Sequence, residues 1–236
     1  MTAITYIGKE LDLFAQAVNW KSYLHDLLAP HLGQRVLEVG AGQGTTTAAL
    51  CDGNRQEWVC LEPDPKLRAE LDQRCSDGRI PPCCRVHGGV VADLRPAHPF
   101  DSVLYVDVIE HIADDRHELA QAAQHLAPGG ALIVVAPAHP FLFSAFDRAI
   151  GHHRRYSRRT LTAVTPPAGC VEMLRYLDSA GMLASLANRV LLRQSLPSEK
   201  QILFWDRRLV PLSRRIDPLL GHRVGKSVVC IWKKNK

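Results

Sequence analysis

"VLEVGAGQGTTTAAL", Val36 to Leu50, sets an apolar run against three glycines in five positions and then a segment with helical character. In a doubly wound sheet, ligands sit beyond the carboxyl ends of the strands, and glycines in the first strand-to-helix turn let them approach the backbone closely. Gly40, Gly42 and Gly44, with Ala41 and Gln43 between them, therefore mark a ligand site. Their spacing is GxGxG, whereas a dinucleotide turn reads GxGxxG. Glu38 stands two places before the first glycine, where a carboxylate can meet a cationic amino group and would repel a pyrophosphate.

Outward from this stretch, strand-like runs alternate with helical ones. "RVLEV" (35–39), "EWVCLE" (57–62), "CRVHG" (84–88), "DSVLYVD" (101–107) and "ALIVVAP" (131–137) read as strands. The periodicity predicts helices near 44–52, 65–75 and 114–126. Such alternation implies βαβ units and a parallel sheet covered on both faces. Residues 1–33 read as an amphipathic helical leader, 34–137 as a cofactor-binding core and 138–165 as a loop on the acceptor side. "CVEMLRYLD" (170–178) reads as a sixth strand and "KSVVCIWKK" (226–234) as the last, with a helical insertion across 180–222.

The chain has 236 residues and is 46% hydrophobic, enough for one well-buried core, so a single domain is expected. It holds no apolar run of about 18 residues, the length that a membrane span needs. "MTAITYIGKELDLF" lacks the order of a secretory signal, and the two observations together lead to the expectation of a soluble, cytoplasmic protein. Seven cysteines without a CxxC pair suggest reduced thiols, with neither a disulfide framework nor a zinc ribbon. The net charge of +5 gathers in the C-terminal half, in "HHRRYSRR" (152–159), Arg207, Arg208, Arg214, Arg215 and "KKNK". Solvated faces explain most of it; an acidic substrate, RNA or an anionic membrane are the alternatives.

The ordered set "VLEVGAGQGTTT", "CLEPDP", "FDSVLYVDVIEHI" and "LAPGGALIVVAP" resembles the class I S-adenosylmethionine-dependent methyltransferases across Arg35 to Pro137. The resemblance implies a Rossmann-like doubly wound sheet, mostly parallel with an antiparallel last strand, and S-adenosylmethionine as cofactor with S-adenosylhomocysteine as product. It implies that Glu38, Gly40, Ala41, Gly42, Gln43 and Gly44 line the methionine moiety, and that Glu62 and Pro63 hold the ribose. Gly89 and Val90 would border the adenine, and Tyr105, Val106 and Asp107 would close the floor beneath the sulfonium, with His111 packed near the cofactor.

Asp107, Glu110 and His111 give the spacing DxxEH, and a related ExxEH occurs in metal-dependent ubiquinone and small-RNA methyltransferases. Two carboxylates and an imidazole suit Mg²⁺ or Mn²⁺. "EHI" is also common in metal-free relatives, and Asp is shorter than the Glu of that pattern, so no metal is expected.

"APAHPFLFSAFDRAIGHHRRYSRRTL" (136–161) is long for a connection and rich in His, Phe and Arg, which marks a functional loop. It resembles a methyltransferase subgroup with a GHxRRY segment. Histidine titrates in the range a general base needs. His152 is the first candidate base and His139 the second, against the alternative that each anchors the loop. Phe141, Phe143, Phe146, Arg154, Arg155 and Tyr156 are candidate substrate contacts, the arginines either clamping an anion or pairing with an acid such as Asp147. In the insertion, Ile202, Trp205, Leu209, Leu212, Ile216 and Leu219 predict one apolar helical face, split at Pro211. That face is expected to pack as a lid or a homodimer surface, and Trp205 to contact substrate. The expected function is methylation of a small, aromatic or hydrophobic acceptor, without nucleic acid as partner; an RNA methyltransferase and a non-catalytic cofactor-binding partner subunit are the alternatives.

Overall fold

The computed structural model describes residues 6–8, 10–187 and 197–236. The apolar runs form strands β1 (Arg35–Val39), β2 (Glu57–Glu62), β3 (Cys84–Gly88), β4 (Phe100–Val106), β5 (Leu126–Pro137), β6 (Gly169–Leu177) and β7 (Ser227–Lys234). They make one seven-stranded sheet in the order β3-β2-β1-β4-β5-β7-β6. Strands β1 to β5 are parallel, and β7 runs antiparallel to both β5 and β6. The expected sheet is therefore present, antiparallel last strand included.

Side chains alternate between the two faces of a strand, so each central strand feeds two cores. Val36, Leu104, Ile133 and Ile231 pack on one face with Trp20, Leu24 and Trp205. Leu37, Val103, Leu132 and Val134 pack on the other with Leu119, Ala122 and Leu161. Burial on both sides is why these strands read as continuous apolar runs.

The leader forms α1 (Leu11–Ala15) and α2 (Val18–Leu28). The crossovers are α3 (Thr45–Leu50), α4 (Pro65–Ser76) and α5 (Asp115–Gln124). Asp64 starts α4 by accepting from the amides of Lys66 and Leu67, with Pro65 at the first position, where its missing N–H costs nothing. Strand order reverses between β1 and β4, and the two neighbouring crossovers diverge there, which opens a crevice at the carboxyl ends of both strands.

After β5 come α6 (Ala145–Ala149) and α7 (Arg158–Val164). Between β6 and β7 come α8 (Ser179–Ala187), α9 (Glu199–Phe204), a π-helical turn (Trp205–Leu209) and α10 (Val210–Leu219). Residues 188–196 of the expected insertion lie outside the described residues. Pro211 does not split the tract, because it falls in the first turn of α10, directly after the π-helical turn. That turn also corrects the expected apolar stripe. A π turn adds one residue to the helical register, so Val210, Ser213 and Asp217 face inward. Leu212 and Leu219, placed inward by the sequence pattern, are 46% and 85% exposed.

Buried acids bolt this insertion to the core. The Asp206 carboxylate accepts from the amides of Asn19 (3.2 Å) and Trp20 (2.9 Å) and so caps the first turn of α2. Asp217 accepts from the amides of Asp178 and Ser179 and from the Tyr23 hydroxyl. Trp205 donates its indole N–H to Asp178 at 2.7 Å.

Candidate active site

A cavity of about 1650 Å³ opens at the carboxyl ends of β1 and β4. Its near wall is the glycine turn. Gly40 and Ala41 donate their amides to the Leu61 carbonyl, and Gly42 donates to Glu62 Oε2 at 2.7 Å. Gly42 has φ +56°, and a Cβ there would meet nothing within 4 Å, so its bare edge faces open space. Gly44 is glycine for another reason: a Cβ would collide with Leu71 and Ile80, which fixes how closely α3 and α4 approach.

Glu62 holds its carboxylate at the end of β2 through the amides of Gly42 (2.7 Å) and Asp64 (2.9 Å). Burial raises its carboxyl above the ordinary range, and the two amide bonds oppose that rise. Each oxygen keeps a further lone pair for a ligand hydroxyl. Pro63, Gly89, Val90, Val106, Asp107 and His111 also line the cavity, as do Ala41 and Gln43.

Glu38 lies elsewhere. It is buried outside the cavity lining, and its Oε2 accepts from Thr47 Oγ1 (2.7 Å) and Trp58 Nε1 (2.8 Å). Burial raises its carboxyl to about 7. It braces the base of the glycine turn against α3 and β2. Tyr105 is likewise outside the lining and donates to Glu118 at 2.8 Å.

The far wall comes from the segment after β5 and from the insertion. Phe143, Phe146, His152, Arg155, Ile202 and Trp205 reach the cavity. Phe141 is 56% exposed and outside the lining. His139 also lies outside it, at φ +63°, stacked on Tyr176 with ring centroids 4.5 Å apart.

Two buried acids organise the GHxRRY segment. Asp147 accepts from Ser144, from His152 Nδ1 at 3.0 Å and from both forks of Arg155 at 2.6 and 3.0 Å. Burial alone would raise its carboxyl, but the His152 and Arg155 bonds win and hold it well below the usual range. Asp115 pairs with Arg154 at 2.6 Å and accepts from the Tyr156 hydroxyl at 2.7 Å. Arg154 and Tyr156 are thus tied to α5 and outside the cavity lining, while His152 and Arg155 stay within it.

Three groups at the cavity carry little or no signal in the sequence. Tyr6, Glu10 and Phe14 of the leader line the cavity, and Gln43 Nε2 donates to Asp12 at 2.7 Å, so the leader covers the glycine turn. Lys226, at the start of β7, also lines it, with Nζ 3.5 Å from the Trp205 ring centroid and 3.6 Å from Asp178. Nothing in its local sequence marks it. The third is Glu110 as a buried acid: it is 0% exposed, and both carboxylate oxygens lack a hydrogen-bond partner. Burial and the neighbouring Asp107 push its carboxyl well above the ordinary range. Burial and the adjacent His152 push His111 down to about 4, which keeps that imidazole neutral.

Residues 37–132 match the family model of a methyltransferase domain. The fold is Rossmann-like and matches that of solved methyltransferase structures. Among curated proteins, the demethylmenaquinone methyltransferase of Tropheryma whipplei (strain Twist) is 28% identical over 133 residues, covering 56% of this chain and 54% of that protein. The tRNA U34 carboxymethyltransferase of Syntrophotalea carbinolica is 29% identical over 170 residues, covering 69% of this chain and 50% of that protein. The chain thus spans about half the length of these curated relatives. Among solved structures, the N-methyltransferase NodS of Bradyrhizobium japonicum WM9, in complex with S-adenosylhomocysteine, superposes with a TM-score of 0.58 at 13% identity over 97% of this chain and 90% of that one. Among the described residues, no helix is long and apolar enough to cross a membrane.

Proposed function

We propose that this protein is an S-adenosylmethionine-dependent methyltransferase acting on a small, aromatic or otherwise hydrophobic acceptor. The observation that carries this reading is one cavity lined both by the bare edge of Gly42 and the Glu62 carboxylate and by the apolar side chains of Phe143, Phe146 and Ile202. The donor set fits the cofactor. Glu62 offers acceptors for ribose hydroxyls, the glycine turn leaves room for the methionine chain, and Asp107, which lines the same cavity, would stand near the sulfonium. When bound, the cofactor supplies a methyl group carried on a positively charged sulfur.

Transfer is an in-line displacement at carbon, so alignment of the acceptor provides most of the rate. The phenylalanines and the leader exclude water and orient an apolar acceptor. Asp147 pins His152 through Nδ1, which leaves Nε2 as the ring nitrogen free of that bond, on a residue that lines the cavity. His139 has no such position.

Incubating the protein with methyl-tritiated S-adenosylmethionine and cell extract, then separating small-molecule, RNA, lipid and protein fractions, tests the reading. Label in the small-molecule fraction is expected. The tRNA-modifying relative favours a second reading, RNA methylation, for which the label would instead appear in RNA. Absence of label from every fraction would leave a non-catalytic cofactor-binding subunit.

A further inference from the structure

The buried carboxylate of Glu110 calls for a partner. A fully buried carboxylate with no hydrogen bond is costly to ionise. Yet Glu110 is fully buried in the cavity wall and neither of its oxygens has a hydrogen-bond partner. The nearest cationic candidate, His152 Nε2, stands 3.7 Å from Glu110 Oε1. That is beyond hydrogen-bond reach. His152 donates Nδ1–H to the ionised Asp147, so Nε2 carries the ring's lone pair when the imidazole is neutral. A lone pair and a carboxylate oxygen thus face each other across a gap. His111 joins them: its ring centroid lies 4.6 Å from that of His152, and one ligand atom from each of Glu110, His111 and His152 lies within 4.8 Å of the others.

We propose that Glu110, His111 and His152 form a binding site for a divalent transition-metal ion of the Zn²⁺ or Mn²⁺ class at the acceptor end of the cavity. Two imidazoles and one carboxylate make a donor set for such ions, with coordination positions left open. The spacing fits. Metal–ligand bonds of about 2.1 Å put tetrahedral ligand atoms about 3.4 Å apart, close to the observed Nε2 to Oε1 separation. The outer contacts fit as well. A ligating histidine usually donates its other N–H to a carboxylate or a backbone carbonyl, as His152 does to Asp147, while His111 bonds to the Gly151 backbone. The DxxEH spacing pairs Glu110 and His111 with Asp107; in the fold, His152 from the segment after β5 takes that third place.

All three ligands are among the residues that line the cavity assigned to the acceptor, Glu110 fully buried in its wall. The metal site stands on geometry alone. Its consequence for specificity rests on the methyl-transfer reading: an acceptor presenting an oxygen that can coordinate would be favoured, and His152 Nε2 would serve as ligand and not as base.

The test is a titration of the full chain, first stripped with a chelator, with Co²⁺ alone, followed by visible d–d absorption. One equivalent should bind and be displaced by Zn²⁺. Glu110→Gln and His152→Ala should each abolish the spectrum, and Asp147→Asn should weaken affinity about 10- to 100-fold, the usual effect of losing a group that orients a metal ligand. Far-UV circular dichroism reports whether each variant is folded, and Glu110→Gln, which removes the proposed carboxylate ligand but keeps the side chain's size, keeps the test usable if His152→Ala unfolds. No d–d spectrum in the parent, or one unchanged in folded Glu110→Gln, overturns the proposal. Because the readout needs neither cofactor nor acceptor, its failure is separable from failure of the methyl-transfer reading.

Discussion

Glu38 offers the sharpest check of the electrostatics, through Glu38→Gln in cofactor-free protein. Its carboxyl accepts from Thr47 and Trp58, yet burial raises it from 4.5 to about 7. A carboxyl raised by folding penalises the folded state only once it ionises. The penalty is absent below about pH 4.5, grows as pH climbs toward 7 and is constant above that. At about 1.4 kcal/mol per pH unit, the rise corresponds to about 3 kcal/mol. Glutamine keeps an oxygen for the two donors and never ionises. The stability of Glu38→Gln relative to the parent should therefore rise by about 3 kcal/mol between about pH 4.5 and 8, whatever its offset at acid pH. Urea unfolding of both proteins across that range measures the difference, and other titrating groups cancel in it. A difference that stays flat with pH would refute the assignment of Glu38 as a desolvated, structural carboxylate.

Gly42→Val should cost about 1 to 3 kcal/mol in backbone strain, since its φ is positive, but leave the protein folded, because its side chain enters open space. Calorimetry should find S-adenosylhomocysteine binding lost. Phe204, exposed and on the cavity wall, tests whether the insertion caps an acceptor pocket: if it does, Phe204→Ala should raise the acceptor KM several-fold while stability changes by less than about 1 kcal/mol. Trp205→Ala should behave differently, losing about 3 to 5 kcal/mol in thermal or urea unfolding, because the indole is buried and packed between Phe14 and Trp20. Asp206→Ala should cost about 2 kcal/mol in urea unfolding by uncapping α2, and Asp206→Asn, which retains one acceptor, should recover part of it.

Local signals alone were enough for the sheet and the near wall of the cavity. Strand periodicity, the crossover helices and the glycine turn are written in residues a few positions apart, so β1 to β5 and the meeting of Gly42 and Glu62 on one cavity were legible in the chain itself. Out of local reach was whatever depends on the face a side chain takes and what it meets across the fold. Glu38 read as a ligand contact, but alternation along β1 turns it toward Thr47 and Trp58. Arg154 and Arg155 are neighbours in sequence, yet one pairs with Asp115 on α5 and the other with Asp147 beside the cavity. The π-helical turn moved the buried face of α10 from Leu212 to Ser213, since one extra residue in a turn rotates everything after it and leaves no mark in hydrophobic spacing. Glu110 and His152 meet only because β4 and β5 are adjacent in the sheet, which brings the loops at their carboxyl ends into one space.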